Sequence, residues 1–141
     1  MIPSHIIIHH SLTADGATVS WNAITQYHMS KGWIDNGYQY GIERVGDIYQ
    51  ILKGRMDNQV GAHCTQQYMN YRSIGVCMVG NFDLGSPPRE QMEKLVKLVL
   101  SLQQIWKIPS TNVQRHSEYA SYKTCPGKLF PWEKFKYRLK L

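Results

Sequence analysis

The chain has 141 residues, 43% hydrophobic and 18% charged, a length and balance that fit one domain with a sizeable core and exclude a disordered chain. Its formal net charge of +6 favours anionic surroundings such as nucleic acid, a membrane surface or a bacterial envelope. Solubility alone accounts for that charge equally well.

The first five residues carry no basic run ahead of an apolar one, and they read as neither a signal peptide nor a membrane span. Residues 6–10 predict a buried strand, β-branched and too short for a helix. Residues 18–30 predict a helix with Ala23, Ile24 and Tyr27 on one face and Lys31-Gly32 closing it. Two strands are predicted at 37–43 and 47–52, around a Val45-Gly46-Asp47 turn, and another buried strand at 73–81. Pro87-Pro88 opens a long helix to Trp106, with Leu95, Leu98, Val99, Leu102 and Ile105 as its apolar face and Pro109 beyond its end. A short helix follows Pro131. There is no repeat, linker or low-complexity tract. Interleaved strands and helices predict an α/β fold: a single domain over 1–141, with a mixed central β-sheet flanked by helices.

The three cysteines, Cys64, Cys77 and Cys125, are irregularly spaced and form no disulfide framework, which fits synthesis in a reducing compartment. Cys77 lies in an apolar run and reads as a buried, inert thiol. Cys125 sits in a polar, turn-rich segment, nine positions after His116 and two after Lys123. His9 ends the first strand. Two imidazoles and a thiolate suit zinc better than magnesium or calcium, which prefer oxygen. Three protein ligands would leave a fourth position open, as in catalytic zinc sites. Spacing does not establish such a site: the pair is too far apart for a zinc finger, and there is no His-Glu-x-x-His helix. His28 reads as structural or surface. The basic tail over 128–140 reads as a solvated surface, with an anionic polymer as the other reading.

Five segments, in order, carry a resemblance. They are Ile7-Ile8-His9-His10-Ser11, then Gln26-Tyr27-His28 on through Gly32-Trp33-Ile34-Asp35-Asn36-Gly37-Tyr38-Gln39-Tyr40, then Gly61-Ala62-His63. Ser73-Ile74-Gly75-Val76-Cys77-Met78-Val79-Gly80-Asn81-Phe82 follows, and the last runs from His116 through Lys123-Thr124-Cys125-Pro126-Gly127. With these the chain resembles the zinc-dependent N-acetylmuramoyl-L-alanine amidases, the family of single-domain phage lysozymes and peptidoglycan recognition proteins. The resemblance implies hydrolysis of the amide between N-acetylmuramic acid and L-alanine of the stem peptide, causing wall lysis. It implies one zinc ion on His9, His116 and Cys125, with Tyr38 and Lys123 catalytic. Adjacent strand residues face opposite ways, so only one of His9 and His10 should reach the metal, and the motif points to His9. His63 and His10 are expected near the substrate, His63 in the cleft or behind the ligands.

Two departures stand out. Gln39 occupies a position where phage relatives often carry His, and residues 64–70 make a longer segment than usual after Gly-Ala-His. No carboxylate stands out as general base; Glu118 and Glu43 are the candidates. The expected partner is peptidoglycan, bound as muramyl peptide by a monomer, with no nucleic acid and no stable membrane insertion. The expected route is synthesis in a bacterial host's cytoplasm, then holin-type release to the periplasm and wall. A rival reading is a recognition module that binds peptidoglycan without cutting it; such a module would be expected to lack a ligand, above all the Cys. A nucleic-acid or polymerase-binding protein is a third reading, resting on charge alone.

Overall fold

The computed structural model describes residues 1–13 and 21–140. Its elements are β1 (His5–His10), α1 (Trp21–Ser30), β2 (Tyr40–Val45), β3 (Ile48–Lys53), β4 (Ser73–Met78), α2 (Arg89–Trp106), β5 (Val113–Arg115) and α3 (Trp132–Arg138). The strands form one sheet in the order β3-β2-β4-β1-β5. All pairs are parallel except the β2–β3 hairpin, so the sheet is mixed. Gly46 turns that hairpin with φ +66°, a left-handed conformation that a two-residue loop favours.

Side-chain alternation along the strands separates core from site. On β1, Ile6 and Ile8 join Ile74, Val76 and Met78 of β4 under α2 and α3. Ile7 faces the other side, against Cys64, Met69 and Tyr119. Each fully buried Ile or Leu contributes about 1.5–3 kcal/mol by leaving water. The helical side therefore holds most of the apolar core, and the opposite side is left to α1, the loops and the polar residues of the sheet.

Several bounds differ from expectation. Residues 37–39 form a loop before β2, where Gly37 O accepts from Ala62 N–H and Gln39 N–H donates to Gly75 O. The strand from Ser73 stops at Met78. The helix predicted over 18–30 is seen as α1 from Trp21; residues 18–20 lie outside the described residues. Its buried residues are Trp21 and His28, while Tyr27 is 61% exposed. The turn-by-turn track 21, 24–25, 28 faces inward because its polar members find partners in the loop before β2. Thr25 Oγ1 accepts from Asn36 Nδ2, and His28 Nδ1 accepts from Gly37 N–H. Trp21 packs on Gly41, where an added Cβ would lie 2.4 Å from its ring.

On α2, Leu95, Leu98, Val99 and Leu102 are buried as expected, but Ile105 is 64% exposed. At about 100° per residue, Trp106 continues the stripe and Ile105 swings to its edge. Trp106 is the one that packs on the core. The basic tail is partly paired with the rest of the fold. Arg138 pairs with Glu93 through both nitrogens, and Lys136 Nζ donates to the carbonyls of Ser110 and Val113.

Candidate metal centre

Register brings the first two site residues together. Ile8 of β1 is paired with Arg115 of β5, so His9 and His116 leave the sheet side by side, with ring centroids 4.5 Å apart. His116 opens a single 3-10 turn directly after β5. The loop then folds back, and Ser117 N–H donates to Cys125 O at 3.0 Å. This sets Cys125 Sγ 3.8 Å from His9 Nδ1. The ligand atoms of buried His9, His116 and Cys125 lie within 4.8 Å of one another. Tetrahedral zinc with its usual bond lengths separates N and S ligand atoms by roughly 3.3–3.8 Å. The donor set therefore fits zinc, and the His9–Cys125 distance already lies at that spacing.

Electrostatics sort the protons. Burial, then the neighbouring His63 and His116, hold the His9 pKa well below its ordinary value. Burial, with Lys123 beside it, lowers that of His116 to about 4. Both imidazoles are thus neutral at neutral pH, with a lone pair to offer. Burial pushes the Cys125 thiol up to about 12, against the opposing pull of the His10 backbone N–H and Lys123. That N–H donates to Sγ at 3.3 Å. A metal must therefore displace a proton from sulfur, as thiolate ligation always requires.

A cavity of about 730 Å³ opens over these groups, lined among others by Tyr38, His63 and Lys123. The Tyr38 ring sits edge-on to His9, with centroids 5.1 Å apart. Burial and the thiols of Cys77 and Cys125 raise its pKa well above the usual phenol value, so it stays a neutral hydroxyl donor. Tyr38 N–H donates to Asn36 Oδ1 and its carbonyl accepts from Arg55 N–H, which fixes the ring's backbone. Lys123 is exposed at the rim, held by its N–H to Ala120 O.

The remaining expected residues fall as follows. His63 Nδ1 lies 3.0 Å from His9 Nε2, behind the proposed ligand. His10 turns away from His9: its Nδ1 accepts from Phe82 N–H, and its ring stacks on Phe82. Gln39 is buried and spent on backbone, donating to Gln59 O and accepting from Gly75 N–H. Neither proposed carboxylate lines the cavity. Glu43 Oε1 accepts from Trp21 N–H beneath α1, and Glu118 closes its own turn by accepting from Arg115 N–H. Both are corrections: backbone donors captured them.

Sequence reasoning missed Asp83. It brackets the thiol loop, Oδ2 accepting from the Thr124 hydroxyl and Oδ1 from Lys128 N–H. These bonds hold its carboxyl below the usual range. The long segment after His63 becomes one wall of the cavity. Gln67 and Tyr68 have φ of 53° and 59°, and Tyr68 stands 76% exposed. Gln66 Nε2 donates to Tyr122 Oη, tying this wall to the loop that carries Lys123.

A family model described as N-acetylmuramoyl-L-alanine amidase matches residues 1–128. The chain is 35% identical over 128 residues to an endolysin of Escherichia phage T7, covering 86% of this chain and 79% of the relative. Its fold superposes with TM-score 0.84 on the N-acetylmuramoyl-L-alanine amidase LysC from Clostridium intestinale, at 28% identity, covering 99% of this chain and 87% of that one. A mutant of Drosophila PGRP-LB in complex with tracheal cytotoxin gives 0.80 at 27% identity, over 94% of this chain and 80% of the other.

Proposed function

The chain belongs to the N-acetylmuramoyl-L-alanine amidase family, and from that membership we propose that it works with one zinc ion on His9, His116 and Cys125. It is a peptidoglycan amidase that hydrolyses the bond between N-acetylmuramic acid and L-alanine of the stem peptide. The zinc reading is carried by one observation, the convergence of two buried neutral imidazoles and one buried thiol. Zinc bound there would supply Lewis acidity, polarising a carbonyl and acidifying water.

The chain's own residues do the rest. The Tyr38 hydroxyl and the Lys123 ammonium act as donors set in place before charge develops on the amide oxygen, the arrangement that stabilises an oxyanion best. The cavity of about 730 Å³ is of a size to take a muramyl-peptide fragment. Every proposed ligand comes from one chain, so a monomer suffices. We take the catalytic domain as 1–141, a reading supported by Phe135 of α3 and by Leu139 just after it, both beyond the matched residues and both part of the core. The biological role is that of an endolysin, reaching the wall after holin-type release. Among the described residues no helix is long and apolar enough to cross a membrane.

Digestion of purified peptidoglycan tests the reading. New L-alanine amino termini should appear, stop with chelator and return with zinc. New reducing sugar ends, or full activity in chelator, would contradict it.

Proton counting tests the ligand set independently of activity. At pH 6 zinc binding should release about one proton, from Cys125 and none from the histidines. Affinity should accordingly rise about tenfold per pH unit there. Calorimetry in buffers of different ionisation heat measures the count. Zero protons would remove Cys125 from the site; two would mean a histidine was charged before binding.

A further inference from the structure

We propose that His63 is a positioning residue that fixes the tautomer of His9 and leaves His9 Nδ1 as the metal-binding atom. The metal half of this inference rests on the zinc assignment above; the tautomer half does not.

His63 Nε2 faces two atoms that have no proton to give it. His63 Nε2 lies 3.4 Å from the Ser73 carbonyl oxygen and 3.4 Å from Ser73 Oγ. A carbonyl only accepts. Ser73 Oγ has committed its own proton to Met69 O, at 2.6 Å, so toward His63 it also accepts. His63 Nε2 must therefore carry the hydrogen. In a neutral imidazole that leaves the lone pair on Nδ1. Nδ1 is 3.0 Å from His9 Nε2, so His9 Nε2 must donate. The His9 proton is then spent behind the site. Its Nδ1 lone pair faces Cys125 Sγ, 3.8 Å away.

The surroundings are built to hold the His63 ring in this pose. An added Cβ on Gly75 would lie 2.6 Å from ring atoms Cγ and Cδ2, and one on Gly61 would lie 2.6 Å from Cδ2. Only glycine at both positions lets the ring sit against the sheet. Asn70 Oδ1 accepts from the backbone N–H of His63 at 2.7 Å and of Cys64 at 2.8 Å, pinning the residue from behind. A side chain that merely filled space would need neither the glycine cradle nor a chain of hydrogen bonds ending on a carbonyl.

Without this acceptor, His9 would divide between two neutral tautomers, and the one protonated on Nδ1 cannot ligate through that atom. Outer partners of metal-bound histidines are typically worth about 10–100-fold in metal affinity.

Long-range proton–nitrogen NMR on the metal-free wild-type protein reads the tautomer directly. His9 should carry its proton on Nε2 and His63 on Nε2; a His9 proton on Nδ1 would overturn the proposal. His63→Leu should weaken zinc binding about 10–100-fold and mix the His9 tautomers. His63→Asn, whose amide oxygen falls near the position of Nδ1, should recover most of the loss. Wild-type affinity in His63→Leu, or His63→Asn as weak as His63→Leu, would overturn it. If His63→Leu does not fold, the wild-type spectrum and the His63→Asn affinity still decide. If the wild-type protein binds no zinc, the zinc assignment fails, and the spectrum still decides the role of His63.

Discussion

Cys125→Ser is expected to abolish zinc binding and amide hydrolysis together. Serine is close in size to cysteine, and its oxygen can accept the His10 N–H that now reaches Sγ at 3.3 Å. The metal-free fold should therefore survive. Its hydroxyl, however, does not ionise near neutral pH and is a poor replacement for thiolate in a zinc site. Zinc at about 1,000 times its dissociation constant stabilises a native protein by about 4 kcal/mol. For a chain of this size that corresponds to roughly 10 °C in melting temperature. Wild-type protein should lose this increment on chelation, and the variant should never show it. Metal content by mass spectrometry and thermal melts with and without chelator measure both halves. A variant that holds zinc as tightly as wild type would remove Cys125 from the ligand set.

Lys123→Ala separates chemistry from metal binding. Lys123 lines the cavity but is exposed at its rim, and it contributes no buried contact to the core. Its loss should leave zinc content and melting temperature near wild type. It should lower kcat about 100–1,000-fold, the usual cost of removing one donor to a developing oxyanion. KM should change far less, because the donor acts mainly as charge appears. Burial is the larger cause of the low His116 pKa and the Lys123 charge the smaller, so His116 should stay neutral at neutral pH in the variant. Full turnover in Lys123→Ala would assign the oxyanion to other groups, with Tyr38 first among them.

Much of the frame was legible in the residues. Ile6 to Ile8 are β-branched and apolar, so β1 and the place of His9 at its end were readable locally. The α2 stripe was readable except at its last turn, where helical rotation favours Trp106 over Ile105. The buried face of α1 was misread because apolarity was the guide. The residues turned inward include His28 and Thr25, whose hydrogen bonds to the Asn36–Gly37 loop exist only in the folded chain. β5 has three residues and no periodicity to detect, yet its register with β1 is what sets His116 beside His9.

The outer frame of the site was the least legible part. His9 and His63 are 54 positions apart, and Asp83 and Thr124 are 41. Such contacts follow from strand order, which local pattern does not encode. Gly75 carried a usable signal: a glycine inside a buried strand often marks a close approach by another group, here the ring of His63. Glu43 and Glu118 misled for the opposite reason. A carboxylate's chemistry is visible in sequence, but its capture by a nearby backbone N–H is not.

X-ray absorption at the zinc edge tests the proposed centre most directly. The zinc-loaded protein should show one sulfur at about 2.3 Å and the remaining ligands as nitrogen or oxygen at about 2.0–2.1 Å, with imidazole scattering. A shell with no sulfur, or with two, would contradict a centre built from His9, His116 and Cys125.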